Sequence, residues 1–439
     1  MLSPLYRLVE TWPVLAQDVF IFVILLVPAI LVGIAVLIGY RPFALVRAML
    51  WRFRWTNLLF VALIAVSVGI GVGLIAQERG LRQGTARAAD PFDLIIAAPG
   101  SEITMLMAAV YLQPSDVPLV SGDIFDAVAN HPDVSLAAPI AFGDSYATNP
   151  VVGTTNDFVA HLSARLDAGR SFATWHEAVI GARVDLPLGH RFSPAHGAGD
   201  FVEDDAHADY EFEVVGRMQP TNSPWDRAIL VPVEAVWDVH GLPSGHAPGA
   251  PQLGSPFDPE YFPGTPAILV SAEQLYINYA LRAQFNTPQT MAFFPGAVLA
   301  NLHALLGDIR QVMSVMAVVT QILVTAGVLA GLAILTRLFA RRLALLRALG
   351  APRRFVFAVV WSYAAALIFG GAAAGIGVGF AAAAVIARVV SARTDIVISA
   401  TLGWPEFHLV AAFTSATVLL ALVPAIIALS RPVVTDLRG

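Results

Sequence analysis

Five stretches of this 439-residue chain are apolar over more than 20 residues, at approximately 19–40, 55–76, 311–336, 356–387 and 407–430. None carries Asp, Glu, Lys, Arg or His well inside its apolar run. A helix of about 20 apolar residues crosses the hydrocarbon of a bilayer, and there it satisfies its own backbone polar groups. The chain is thus expected to be an α-helical membrane protein of about five spans, with everything else attached between them. Charged residues are only 13% of the chain, about half the share in an ordinary soluble domain.

Arg resists export, so the Arg count of short flanking loops sets orientation. The loop after the first span holds Arg41, Arg47, Arg52 and Arg54, and the loop after the third holds Arg337, Arg341, Arg342, Arg347, Arg353 and Arg354, with no acid in either. Both loops are expected in the cytoplasm. Residues 77–310 and the 388–406 loop then lie outside, and the tail from Arg431 lies inside. The first segment reads as a retained span rather than a signal peptide. Its apolar run exceeds the roughly 7–15 residues of a signal core, and Arg41-Pro42 follows it in place of a small-residue cleavage site.

Charge divides along the same lines. Residues 77–310 hold 27 Asp and Glu, 11 Arg and nine of the ten His, whereas the remainder holds five acids and 15 Arg. Basic residues therefore edge the membrane and an acidic domain of roughly 230 residues, large enough for its own core, lies outside. Nucleic-acid binding has no support, because no soluble face is basic. All 26 basic residues are Arg, and Lys and Cys are absent. A Walker A phosphate site, a Schiff-base Lys, a disulfide and a thiolate metal site are excluded from these residues.

The external domain reads as mixed α/β. Phe92–Ala97, Val134–Ala138, Ala178–Ile180, Phe212–Val215, Ile229–Val231 and Ala267–Val270 are β-like runs between Gly, Pro, Asn and Asp turn signals. Helices are expected around Asp123–Ala129, Val233–Val239 and Ala272–Phe285, and the Gly- and Pro-rich 240–266 as a loop. Gln77–Ala89 and Gly296–Arg310 continue the second and third spans outward as helical stalks.

Gly-Ile-Gly-Val-Gly occurs twice, at 69–73 and 375–379. Neither copy follows a strand, so it is no dinucleotide fingerprint. Gly69, Gly73, Gly375 and Gly379 have the small-xxx-small spacing that lets membrane helices approach closely, a spacing that apolar Gly-rich helices also show by chance. The charge-free spans argue against a proton-coupled carrier or an ion pump, which keep ionisable groups there at a cost of about 2.5–3.5 kcal/mol each.

Between the third and fourth spans, Phe339, Leu343, Leu346 and Gly350 fall on one helical face, Arg341, Arg342 and Arg347 add charge, and Gly350 with Pro352 ends the helix. A short amphipathic helix of this kind over 338–350 suits a partner's groove or the membrane surface. The stretch, an Arg pair followed by Arg347-Ala348-Leu349-Gly350-Ala351, resembles the cytoplasmic coupling segment of FtsX-type ABC transporter permeases, the family of the MacB and LolC/LolE type proteins. Phe43–Asn57 is similar to that family's N-terminal elbow. Phe92-Asp-Leu-Ile-Ile, Phe142-Gly-Asp-Ser-Tyr and Val151-Val-Gly-Thr-Thr resemble the external domain of its MacB-like subgroup, and Val423-Pro-Ala with Arg431-Pro-Val-Val resembles its closing span and tail. The resemblance covers residues 43–439; the first span is a departure from the family's four.

The resemblance implies an organisation and a role. Residues 1–40 are an additional transmembrane helix, 41–88 an elbow, span and stalk, 89–300 the MacB-like external domain, and 301–439 a stalk and three helices with the coupling helix at 338–350. It implies a non-catalytic permease subunit in the bacterial inner membrane, pairing as a homodimer with a cytoplasmic ABC ATPase that holds the ATP and Mg, and a periplasmic partner protein besides the surrounding lipids. Phe339, Arg341, Arg342, Leu343, Leu346, Arg347, Ala348, Leu349 and Gly350 would carry the coupling.

His190, His196, Asp200, Glu203–Asp205, His207 and Asp209 make one stretch dense in imidazole and carboxylate. Such ligands suit Zn, with His196, His207 and Asp209 as the candidates, although the spacing equally fits a solvated acidic loop. The resemblance adds that MacB-like relatives include permeases of zinc-responsive systems with a His-rich loop at this place. His131, His161, His240 and His246 read as turn or surface residues. No Gly-x-Ser-x-Gly or His-Glu-x-x-His motif occurs, so an ectoenzyme lacks a motif, and a membrane-anchored metal sensor without an ATPase is the alternative to the permease.

Overall fold

The computed structural model describes residues 11–113, 115–196, 210–249, 252–274, 276–394 and 396–430. In chain order the helices are α1 (Val14–Leu37), α2 (Phe43–Arg52), α3 (Arg54–Ala89), α4 (Glu102–Ala109), α5 (Gly122–Ala129), α6 (Asn156–Leu162), α7 (Val233–Val239), α8 (Ile277–Phe285), α9 (Pro295–Ala348), α10 (Arg353–Thr394), α11 (Trp404–Leu420) and α12 (Leu422–Ser430). The strands are β1 (Leu94–Ala97), β2 (Val134–Tyr146), β3 (Asn149–Thr154), β4 (Leu166–Gly169), β5 (Glu177–Ile180), β6 (Arg191–Phe192), β7 (Ala195–His196), β8 (Phe212–Met218), β9 (Ile229–Pro232), β10 (Ala267–Ala272) and β11 (Met291–Phe293). The chain divides into a helical unit, Met1–Leu81 with Gly307–Arg388 and Ser399–Gly439, and a second unit, Arg82–Leu306 with Val389–Ile398. Three helices, α3, α9 and α10, contribute residues to both.

Among the described residues four helices are long and apolar enough to cross a membrane: Val14–Leu37, Arg54–Ala89, Arg353–Thr394 and Trp404–Ile427. The remaining expected span, 311–336, lies within α9, where the apolar stretch Val318–Gly331 is shorter. One difference from expectation concerns this helix. The 338–350 segment is not a separate short helix but the end of α9, which runs 54 residues without interruption. No Pro lies between 296 and 351, so nothing removes a helical hydrogen bond along the way.

The helical unit is closed by devices that its sequence supplies. Pro28 stands inside α1, and beside it the Ala29 N–H donates to Ser415 Oγ of α11 at 3.2 Å. Such side-chain partners are what let a membrane helix tolerate Pro. Pro424 stands in the first turn of α12, and the helix breaks before it, at Ala421. The Trp361 indole N–H donates to the Val418 carbonyl at 3.2 Å, and the Tyr363 hydroxyl donates to Asn57 Oδ1.

The second unit is built on one 11-stranded sheet in the order β11-β1-β10-β2-β3-β9-β5-β8-β4, with β6 on β8 and β7 on β2. Strand β2 belongs to both halves. Its first part pairs antiparallel with β10, and after a bulge between Phe142 and Asp144 its last part pairs with β3. Gly143, at φ 149°, takes the turn that the bulge requires. Pairing is mostly antiparallel, with β3 beside β9 and β5 beside β8 running parallel.

The loop expected over 240–266 is tied into the core. Phe262 stacks on Phe125 with ring centroids 4.8 Å apart, and Phe257 meets Trp237 edge-on at 5.6 Å. Gly245, at φ +79°, passes so close that a Cβ there would stand 2.7 Å from Phe257 and 2.8 Å from Trp237. The Gly and Pro residues thus deliver two aromatic anchors, which a composition-based reading of the segment overlooks.

Candidate functional site

The end of α9 is shaped by its own terminus. Gly350 adopts φ +100°, the Gly350 N–H donates to the Arg347 carbonyl at 3.1 Å, and the Ala351 N–H reaches the Leu346 carbonyl at 3.0 Å. This is the double closure of a Schellman C-cap. Pro352 then stops the helix and α10 starts one residue later.

The residues expected to couple separate into two groups at this terminus. Leu343 is buried at 7% exposure together with Ala344 and belongs to the unit's own core, so it is not available to a partner, contrary to the single partner-facing stripe read from the sequence. Leu346 and Arg347 are half-buried, while Arg341, Arg342, Ala348, Leu349 and Gly350 are exposed. Leu349 is 86% exposed, and Leu345, which the sequence reading omitted, stands 51% exposed. The Phe339 side chain lies outside the described residues.

A groove of about 240 Å³ opens beside this terminus, lined by Leu45, Met49, Arg52 and Phe53 of the elbow and by Arg342, Leu343 and Leu346 of α9. The Arg342 guanidinium lies 6.0 Å from the centre of the Phe53 ring, a cation–π contact. On the elbow's other side Trp51 and Trp55 are each 74% exposed and flank the Arg54 guanidinium at 5.5 and 5.7 Å. Exposed Trp alternating with Arg is the pattern of a helix at the headgroup level. The elbow thus carries an exposed Trp–Arg cluster and also meets the end of α9 through Phe53. Its participation is visible in sequence only as Arg-studded amphipathicity.

The two Gly-Ile-Gly-Val-Gly copies face each other. A Cβ on Gly379 would stand 2.7 Å from the Gly69 carbonyl oxygen, one on Gly375 2.6 Å from the Val68 Cβ, and one on Gly73 3.3 Å from the Gly379 carbonyl oxygen. Helices α3 and α10 therefore touch backbone to backbone along this stretch. Further along α3, Arg79 makes a bidentate ion pair with Glu406 at the start of α11, with Nη1 to Oε2 at 3.0 Å and Nη2 to Oε1 at 2.6 Å. Glu406 is 1% exposed and also accepts the Gly403 N–H at 3.0 Å. No pattern in the sequence links these two residues.

In the external domain His196 lies on β7 directly opposite Asp144 of β2. His207 and Asp209, expected to join it, lie outside the described residues. Instead, Asp144, His196 and His240 each place a ligand atom within 4.8 Å of the other two. His240, read from sequence as a turn or surface residue, is thus half of an imidazole pair whose rings stand 5.0 Å apart. His246 differs from expectation too, being 5% exposed with Nε2 3.4 Å from Glu234 Oε1. Burial pushes the Glu234 carboxyl up, opposed by the Gly254 N–H and by His246.

Residues 314–433 match the family described as FtsX-like permease C-terminal. That range contains all nine expected coupling residues, α10 and α11. Among solved structures the chain is similar to the periplasmic region of MacB from Actinobacillus actinomycetemcomitans, at 9% identity and a TM-score of 0.30, over 49% of this chain and 95% of that one. It is similar as well to the extracellular domain of the noncanonic ABC-type transporter YknZ from Gram-positive bacteria, at 10% identity and a TM-score of 0.28, over 46% and 98%. At scores this low the shared backbone is too small to argue from. No curated protein matches the chain.

Proposed function

From a chain whose residues 314–433 match the FtsX-like permease C-terminal family, we propose the membrane subunit of an ABC-type transport complex that works mechanically: a separate cytoplasmic ATPase closes on nucleotide, and this chain carries the motion to its external domain. The observation that carries this reading is the continuity of α3, α9 and α10, each of which holds residues of both compact units. A bent or broken connection would absorb a push, whereas an unbroken helix passes it on. The missing Lys supports the same division of labour, because these residues offer no Lys to bind the ATP phosphates.

In this reading the ATPase contacts the exposed part of the α9 terminus, around Arg341, Leu345, Ala348 and Leu349, while Leu343 and Ala344 fasten that terminus inside the permease. The complex is a homodimer of permeases with two ATPase subunits in a bacterial inner membrane, five spans per chain, with the large domain and a periplasmic partner outside. Cargo is extracted or exported on the outer side, since no span offers charged groups to line an aqueous path.

Co-purification in mild detergent tests it. The chain co-expressed with a candidate cytoplasmic ABC ATPase from the same genome is expected to retain that subunit and raise its ATP hydrolysis, and Leu349→Glu or Arg341→Glu to abolish both while the permease still melts as the wild type does. If no ATPase is retained, or these variants leave transport intact, the proposal is lost. The Asp144, His196 and His240 cluster favours a second reading, a metal-sensing membrane protein without an ATPase, and an absent ATPase in the same experiment selects it.

A further inference from the structure

His240 caps the C-terminal end of α7, and its Nδ1 lies 2.7 Å from the Val236 carbonyl oxygen. A carbonyl only accepts, so Nδ1 carries the proton and donates it, and in the neutral ring Nε2 is left with its lone pair. That lone pair faces Asp144 Oδ1 at 3.7 Å. His196 Nδ1 lies 2.9 Å from the same oxygen. One carboxylate oxygen and two imidazole nitrogens thus converge, each within 4.8 Å of the other two, the donor set that a divalent ion takes.

We infer that Asp144, His196 and His240 bind one divalent transition ion, Zn(II) by the chemistry of the set, on the external domain. Two imidazoles and one carboxylate are borderline ligands that select Zn over Mg or Ca. Ligand atoms around one tetrahedral Zn stand about 3.3 Å apart, from bond lengths of about 2.0–2.2 Å. The separations here, 2.9 and 3.7 Å with all three atoms inside 4.8 Å, bracket that value. The His240 to Val236 bond is the outer contact that fixes a metal-binding imidazole in the correct tautomer.

The fold prepares the set from three separate segments. The bulge at Gly143 directs Asp144 into the sheet, where its side chain is 3% exposed, and the β2–β7 register places His196 opposite it. His196 and His240 keep 40% and 30% of their side chains exposed, which leaves an ion a path from solvent. Occupancy would tie the two-residue strand β7 to the end of α7. The site stands apart from the coupling proposal, since it needs no ATPase.

The full chain in detergent, with its affinity tag removed and treated with a chelator, is expected to take up one equivalent of Zn(II) in competition with a chromophoric chelator. Co(II) in its place gives the visible absorption of a low-symmetry site with nitrogen ligands. His196→Ala and His240→Ala each weaken Zn(II) binding at least tenfold and remove the Co(II) band, while their metal-free melting temperatures stay at the wild-type value. Should H240A fail to fold, H240Q and H196A carry the test. A wild-type chain that takes up no stoichiometric Zn(II), or His variants that bind as the wild type does, would falsify the site, and a protonated imidazole pair on Asp144 would then be its explanation.

Discussion

Glu177 accepts from both terminal nitrogens of Arg170, at 2.7 and 2.5 Å, and from the Ala173 N–H at 2.7 Å. The Arg170 hydrogen bonds hold its carboxyl at about 2 against an ordinary 4.5. A depressed carboxyl contributes stability that is complete above pH 4.5 and is lost as pH falls through 4.5 toward 2. Glu177→Gln is therefore expected to flatten the pH dependence of the melting temperature in that window and lower it modestly at pH 7. The effect is kept modest by solvent screening, because Arg170 is 55% exposed. At this scale the sequence was least informative. Asp144 and His240 belong to segments that meet only after β2 has bulged and α7 has packed, so neither spacing nor composition could pair them with His196. His246 looked like a loop residue because nothing local announces that Phe257 and Phe262 draw its loop inward.

At the scale of elements, the Arg79–Glu406 pair fastens α3 to the first turn of α11. Gly403 lies close beside it: a Cβ there would stand 2.1 Å from Arg79 Nη1, so a side chain at 403 would displace the guanidinium. The two members differ in exposure, 23% for Arg79 and 1% for Glu406, which makes the substitutions unequal. Arg79→Ala strands a buried carboxylate and is expected to cost about 3–5 kcal/mol, whereas in Glu406→Gln the Arg79 side chain can turn to water and the cost is smaller. Thermal unfolding of both variants in the same detergent gives the order, and equal losses contradict it. Elements were the most legible level. Every β-like run read from the sequence overlaps a strand, the first starting two residues before β1, because apolar residues between turn signals have few other ways to be buried. The strands β3, β4 and β11 and the short β6 and β7 escaped; Asn149-Pro150 opens the first, and the last two hold two residues each. The separate helix at 338–350 failed for the converse reason. A change from apolar to Arg-rich marks where a helix leaves the membrane, and helices do not end at such a change unless Gly or Pro ends them.

For the whole molecule, mechanical coupling makes a demand that binding alone does not. Val312 is 64% exposed and lies on α9 near the division between the two units. Val312→Pro would interrupt the helix there, at about 3 kcal/mol of local cost, while sparing both cores. The expected phenotype is uncoupling. The ATPase stays bound and hydrolyses nucleotide, but limited proteolysis of the external domain no longer changes between nucleotide-free and nucleotide-trapped states. A variant that keeps this nucleotide-dependent pattern would show that α9 is not the route. The uneven division of charge along the chain motivates a domain plan, yet nothing in it announces the unbroken run of α9.

The length of α9 sets a scale for what the complex can do. At about 1.5 Å per residue, its 54 residues form a rod about 80 Å long, more than twice the roughly 30 Å hydrocarbon thickness. Pivoted at one end, such a rod turns a tilt of about 5° into a displacement of about 7 Å at the other. In the coupling proposed above, gearing of this kind would turn a small tilt of one helix into a stroke of molecular size at its other end.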